Sequence, residues 1–237
     1  MKADGSPPGV FRLTRWAIAW FVLATAIAMV LFPGGTYLDR DARGYSFFGN
    51  FLSDLGMLVA WGGQSNHAGA ALFIVSELIL VLTLVLFFKA AVGVYSPGSP
   101  RRLATAGAIT GLVCCAAFMG AAVLPADRFL AAHIQAAILA FRASMIAFVL
   151  FTIATARDPR FSRTAAAAWA MLTVVMVAYV GVIEWGPRPR TAFGLTFQVT
   201  AQKIVVAVLL GVIAIQSVEA ERIGRAQPAA KSEPQPS

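Results

Sequence analysis

Histidine, cysteine and charge are all scarce in this sequence, and each scarcity removes a class of chemistry. There are two histidines, His67 and His133, with no HxxxH pair and no recognised metal-ligand spacing around either. The two cysteines, Cys114 and Cys115, are adjacent inside an apolar run, which suits small buried residues and not a disulfide framework or a redox pair. No glycine loop of the phosphate-binding kind is present. No internal repeat and no second domain can be traced. Charged residues make up 13% of the 237 residues against 59% hydrophobic, and the mean hydropathy is +0.75, which excludes an ordinary soluble domain. The net charge of +8 has the sign of a nucleic-acid binder. In so apolar a chain, excess Lys and Arg instead reports membrane topology and attraction to anionic lipid. No nucleic acid, metal or cofactor is expected.

What is abundant is long apolar sequence. Runs near Trp16–Phe32, Ala68–Phe88, Leu103–Leu124, Phe129–Ala154, Thr164–Ile183 and Gly194–Val218 each reach the length that spans a bilayer. The fold class is therefore an all-α membrane protein, a bundle of six transmembrane helices over residues 14–218. Residues 1–13 and 219–237 are polar and read as disordered termini. The first run admits two readings. It is a signal peptide with Ala26-Ile27-Ala28 as a small-residue cleavage site, or a retained span, which the unbroken run through Phe32 favours. With the amino terminus inside, twelve Lys and Arg fall on inner segments against five on outer ones, so both termini are expected in the cytoplasm. Abundant Ala and Arg fit a bacterial source of high GC content, hence a bacterial cytoplasmic membrane. Ala132, Ala136, Ala140 and Ser144 form a small-residue stripe, and Gly107 and Gly111 a GxxxG, both suited to close helix packing in lipid. Trp16, Trp20, Trp61, Trp169 and Trp185 include several near span ends, as an interfacial aromatic belt requires.

The stretch Tyr45–Glu77 concentrates hydrogen-bonding side chains beside apolar sequence. Apolar residues at Phe48, Phe51, Leu52, Leu55, Leu58 and Val59 have helical spacing, while Asn50, Ser53 and Asp54 share the opposite face. The spacing predicts a short interfacial or re-entrant helix over Phe47–Trp61, after the first span, with its polar face turned to protein or a wet cavity.

Charge inside the spans is the strongest functional signal, because an unpaired charge at bilayer depth costs several kcal/mol. Glu77, Arg142 and Lys203 are the three such residues. The economical expectation is that Glu77 pairs with Arg142 or Lys203, with polar tracks leading inward past Asn66, Gln135 and Thr196. Two readings of that constellation stand: an ion-pair network fixing helix register, or a site for a lipid headgroup, ion or small polar solute. A second set, Asn50, Ser53, Asp54, Gln64, Asn66, His67, Asp127, His133 and Glu184, is expected at the outer mouth. An enzyme reading would recruit His67, His133 and carboxylates to a metal, with Ser53 as partner or nucleophile, but no base is held to Ser53 by spacing alone.

Asn50-Phe51-Leu52-Ser53-Asp54-Leu55-Gly56, followed by Asn66 and Ala70-Ala71-Leu72-Phe73, resembles a bacterial multi-pass membrane family catalogued as domain of unknown function 998. Leu124-Pro125-Ala126-Asp127 with His133 resembles that family's second short pattern, although Leu124 stands where an aromatic residue is expected. The Ser-Asp-x-Gly element is fainter in its likeness to the eukaryotic six-span Frag1/DRAM/Sfk1 group. The resemblance covers about residues 14–218, implies six helices, marks Asn50, Ser53, Asp54, Asp127 and His133, and supplies no reaction. The expected function is binding, sensing or transport of a lipid or small polar ligand in an outward-facing pocket. Its residues are Asn50, Ser53, Asp54, Asn66, His67, Glu77, Asp127, His133, Arg142 and Lys203, and its partners are membrane lipids. The alternatives are a metal-dependent lipid hydrolase within the membrane and a membrane scaffold.

Overall fold

The computed structural model describes residues 8–226. Six helices account for most of them: α1 (Pro8–Leu31), α2 (His67–Val94), α3 (Ser99–Val123), α4 (Ala126–Ala156), α5 (Arg163–Trp185) and α6 (Ala192–Ala226). All six are long and apolar enough to cross a membrane, so this is a multi-pass membrane protein. Each helix packs on its sequence neighbours, and α6 returns to lie against α1, which closes the six into a ring. The Arg15–Glu221 ion pair, 3.1 Å, ties the first turns of α1 to the last turns of α6 at one end of that ring.

This terminus end is packed solid with aromatic rings. Phe11 meets Phe87 edge-on at 5.9 Å, Phe88 stacks on Phe151 at 5.8 Å, and Phe151 stacks on Trp169 at 5.2 Å. Tyr95 and Phe161 close the stack at 4.6 Å. The GxxxG of α3 serves these rings, since a side chain on Gly111 would strike the Phe88 ring and one on Gly107 the Phe151 ring. Below them, the Asp158 carboxylate gathers the loops, accepting from the Ser96 backbone N–H at 2.7 Å and from Arg160 at 2.8 Å. Burial pushes the Asp158 carboxyl up, but hydrogen bonds from Arg160 and Ser96 and the Arg160 charge outweigh it and hold it at about 2.

Four expectations need correction. Residues 8–13 are helical, because Pro8 suits a first turn and Phe11 is buried on Phe87. Residues 219–226 are also helical: Ala220 and Ile223 continue the buried face of α6, while Glu219 pairs with Arg222 and Glu221 with Arg225. The disorder expected for 1–7 and 227–237 lies outside the described residues. Trp169 belongs to the core and not to an aromatic belt, whereas Trp16, Trp20 and Trp185 are exposed. Finally, only Leu52–Gly56 of the anticipated fifteen-residue helix is helical, as a single 3₁₀ helix. Asn50 and Asp54 bond to nearby backbone in place of a helical ladder, the competition that polar short side chains offer. Cys114 and Cys115 are free and buried, as expected.

Candidate functional site: a roofed chamber

The segment between α1 and α2 folds into a roof over the end of the ring opposite the termini. After α1 stops at Leu31, Gly35 takes φ +85° and its backbone lies so close to Gly62 that no side chain fits there. Arg40 packs over the Trp61 ring at 4.5 Å. Isolated bridges close a turn within each arm, Gly34 with Arg43 and Val59 with Ser65, and the Gly62 N–H donates to the Gly34 carbonyl at 3.3 Å to join the arms.

Five of the ten residues expected at a site hold this roof in place. Asn50, with no exposed surface, accepts from the Ser46 N–H at 2.9 Å and donates to the Gly35 carbonyl at 2.9 Å and to Asp54 Oδ2 at 3.0 Å. Asp54 also accepts from the Phe51 N–H. Burial raises the Asp54 carboxyl to about 6, against the pull of those hydrogen bonds and of the Lys203 charge. Tyr45 donates its hydroxyl to the Asn50 and Phe51 carbonyls, and burial, then the Asp54 charge, push its phenol upward.

Residues of α6 and α4, and the residue that caps α2, clamp the roof from below. On α6, Lys203 Nζ donates to the Asn50 carbonyl at 2.6 Å and lies 5.4 Å and 5.0 Å from the Tyr45 and Phe47 ring centres. Its neighbour Gln202 accepts from the Leu52 N–H at 2.8 Å. On α4, the Asp127 carboxylate accepts from the Leu58 and Val59 N–H groups at 3.1 Å and 3.2 Å. Just before α2, Asn66 donates to the Leu55 and Met57 carbonyls. The stretches around Asn50–Gly56 and Leu124–Asp127 therefore meet in space.

Under the roof, where the aromatic stack stops, the ring is hollow. A cavity of about 110 Å³ is lined from above by Leu52, Ser53 and Gly56, and laterally by residues of α1, α2, α3, α4 and α6. Phe21, Phe73, Phe118 and Phe141 supply much of its wall. Glu77 and His133 line it from α2 and α4, about 15 Å and about 10 Å along those helices from the ends that meet the roof. The comparable engineered cavity that accepts a benzene is roughly 150 Å³.

The expected pairing of Glu77 is overturned. Glu77 has no hydrogen bond or ion pair among the described residues, since Lys203 points to the roof and Arg142 pairs with Glu184. Arg142 is half-exposed on the outside of the bundle beside α5, its side chain 55% accessible, because α4 turns that face away from α2. Gln135 and Thr196 are exposed, so no polar tracks run inward with them. His67 is exposed and bonded to Ser65 at 2.7 Å, away from the cavity. Among the described residues no group of three His, Cys, Asp or Glu is arranged to hold a metal. Of the ten residues expected at a site, Ser53, Glu77 and His133 line the chamber, while Asn50, Asp54, Asn66, Asp127 and Lys203 build its roof. Gln202 was missed: it lies in an apolar span with no charge to flag it, and only its bond to the roof reveals it. Set against protein-family models, curated proteins and solved structures, the chain matches none of them.

Proposed function

We propose that this multi-pass protein binds a small ligand, or the end of a lipid, in the chamber between the roof and the aromatic stack. One observation carries the reading: Glu77 presents a carboxyl that has no partner among the described residues to a largely apolar cavity. Such a group costs several kcal/mol at depth unless something pairs with it, which makes an intramembrane acid without a protein partner a functional feature by default. An ion-pair network that fixes helix register does not need this residue, because Glu77 takes no part in one. The roof adds to the case. Its buried hydrogen bonds give the chamber a definite ceiling. With both termini in the cytoplasm, as the basic bias of the inner segments favours, the roof faces outward. The likeness of the roof sequence to the uncharacterised bacterial family is compatible with this reading and adds no chemistry. Ser53 has no base bonded to it, so nucleophilic catalysis draws no support from it.

Native mass spectrometry of the detergent-extracted protein tests the proposal. Wild type is expected to retain a small-molecule or lipid adduct, and Ala137→Phe, which fills the chamber, to lose it. Identical adducts on both proteins would remove the chamber from consideration.

A further inference from the structure

The fold leaves four hydrogen-bonding side chains of the chamber with unused capacity. Glu77 and Ser53 have no partner among the described residues. Gln202 spends its carbonyl oxygen on the Leu52 N–H, which leaves its amide N–H₂. His133 Nδ1 lies 3.0 Å and 2.9 Å from the carbonyl oxygens of Ala121 and Leu124. Both partners accept, so Nδ1 carries the proton, and in the neutral ring Nε2 offers its lone pair. The chamber thus holds two strong acceptors, the Glu77 carboxyl and His133 Nε2, and no lysine or arginine lines it.

That inventory discriminates among ligands by charge. An anion would meet a carboxylate and no cation. A hydrocarbon would leave Glu77 buried without a partner. A hard metal ion wants several oxygen ligands, and the lining side chains supply only Glu77, Ser53 and the already engaged Gln202 oxygen; a softer ion would find Glu77 and His133 Nε2 but, among the described residues, no third His, Cys, Asp or Glu. An ammonium group satisfies the acceptors of the set and leaves only the Gln202 N–H₂, a donor, outside its reach. Its three N–H donors match a carboxyl and an imidazole nitrogen, and its charge is favoured by the faces of phenyl rings, four of which line the wall.

Building on the ligand-binding reading above, we propose that the chamber selects a primary ammonium carried on a short alkyl stem, with Glu77 as its ion-pair partner, His133 Nε2 as second acceptor and the stem among the phenylalanines. The cavity volume fits a stem of a few carbons. Two sources share this chemistry, a free alkylamine and the aminoethyl end of a lipid headgroup.

The test uses the full chain in nanodiscs of phosphatidylcholine, whose quaternary headgroup has no N–H, with thermal unfolding as the readout. Titration compares n-butylamine, n-butanol and butyrate at neutral pH. Butylamine is expected to bind about tenfold more tightly than butanol, as a charge-assisted hydrogen bond warrants, and butyrate to leave the melting temperature unchanged. Glu77→Gln should reduce butylamine to the butanol level and leave butanol binding as it was. Equal binding of amine and alcohol would overturn the ammonium assignment while the chamber remains a ligand site. No response to any probe would take the ligand-binding reading down with it. The wild-type comparison needs no variant, so a Glu77→Gln protein that fails to fold leaves the result decisive. Repeating the titration in discs containing phosphatidylethanolamine separates the sources: weaker apparent butylamine binding identifies the headgroup as a competitor, and unchanged binding identifies a free amine. Either supports the ammonium.

Discussion

Lys203 lies in the apolar wall of α6, where a charge needs a partner, and it finds one by reaching up to the Asn50 carbonyl and the rings of Tyr45 and Phe47. Its worth lies in holding the roof and not in meeting Glu77. Lys203→Met should lower stability by about 2 kcal/mol, read as a drop in melting temperature in detergent, because it leaves a buried carbonyl short of a charged donor. Asp54 adds a pH dependence. Its carboxyl stands at about 6 in the folded protein against an ordinary value near 3.8, so protonation favours the folded state. The resulting stabilisation is complete below about 4 and disappears as pH rises through about 6. Melting curves between pH 4 and 7 should show this slope in wild type and a shallower one in Asp54→Asn. An unchanged slope after the substitution would assign the effect elsewhere.

The roof is the element on which the site depends, and its anchors come from α4, α6 and the residue before α2. Asp127 is the anchor easiest to isolate, since among the described residues its two oxygens accept only from consecutive N–H groups, Leu58 and Val59. Asp127→Ala should free the segment from 57 to 66 without unfolding the bundle. Hydrogen exchange at the Leu58 and Val59 amides should quicken by about tenfold or more, as befits two lost hydrogen bonds, while α3 amides keep their protection. At the opposite end, Gly111 presents the Phe88 ring with a surface that admits no side chain. Gly111→Leu should destabilise by about 1–3 kcal/mol through overpacking, measurable as a lower melting temperature.

Taken whole, the molecule is polarised, with a solid aromatic end at the termini and a hollow end beneath the roof. The basic residues concentrate at the solid end, the arrangement expected when that end faces the cytoplasm. Gln64 is exposed on the roof, and both native cysteines are buried. A Gln64→Cys protein in intact cells should therefore react with a membrane-impermeant maleimide, and labelling confined to inverted vesicles would reverse the orientation. The solid end has its own acid limit. Asp158 is held at about 2, below its ordinary value, so its contribution is present above about 4 and is lost as pH falls toward 2, opposite in sign to that of Asp54.

Length and apolarity were enough to define six spans and the all-helical class, because hydrocarbon admits only helices and closed barrels and continuous apolar runs of this length suit helices. The span limits read from the sequence were short at both termini, since Phe11 and Ile223 reveal themselves as core only once a neighbouring helix covers them. Asn50, Asp54 and Asp127 were recognisable as important, yet their task, bonding to backbone across sequence separations of up to 69 residues, exists only in the folded chain. Pairing is the sharpest case. Charge and depth show that Glu77, Arg142 and Lys203 must each find an accommodation, but which one depends on helix rotation, which no single sequence period sets. Tertiary packing turned Lys203 to the roof and Arg142 to Glu184, and left Glu77 facing the chamber.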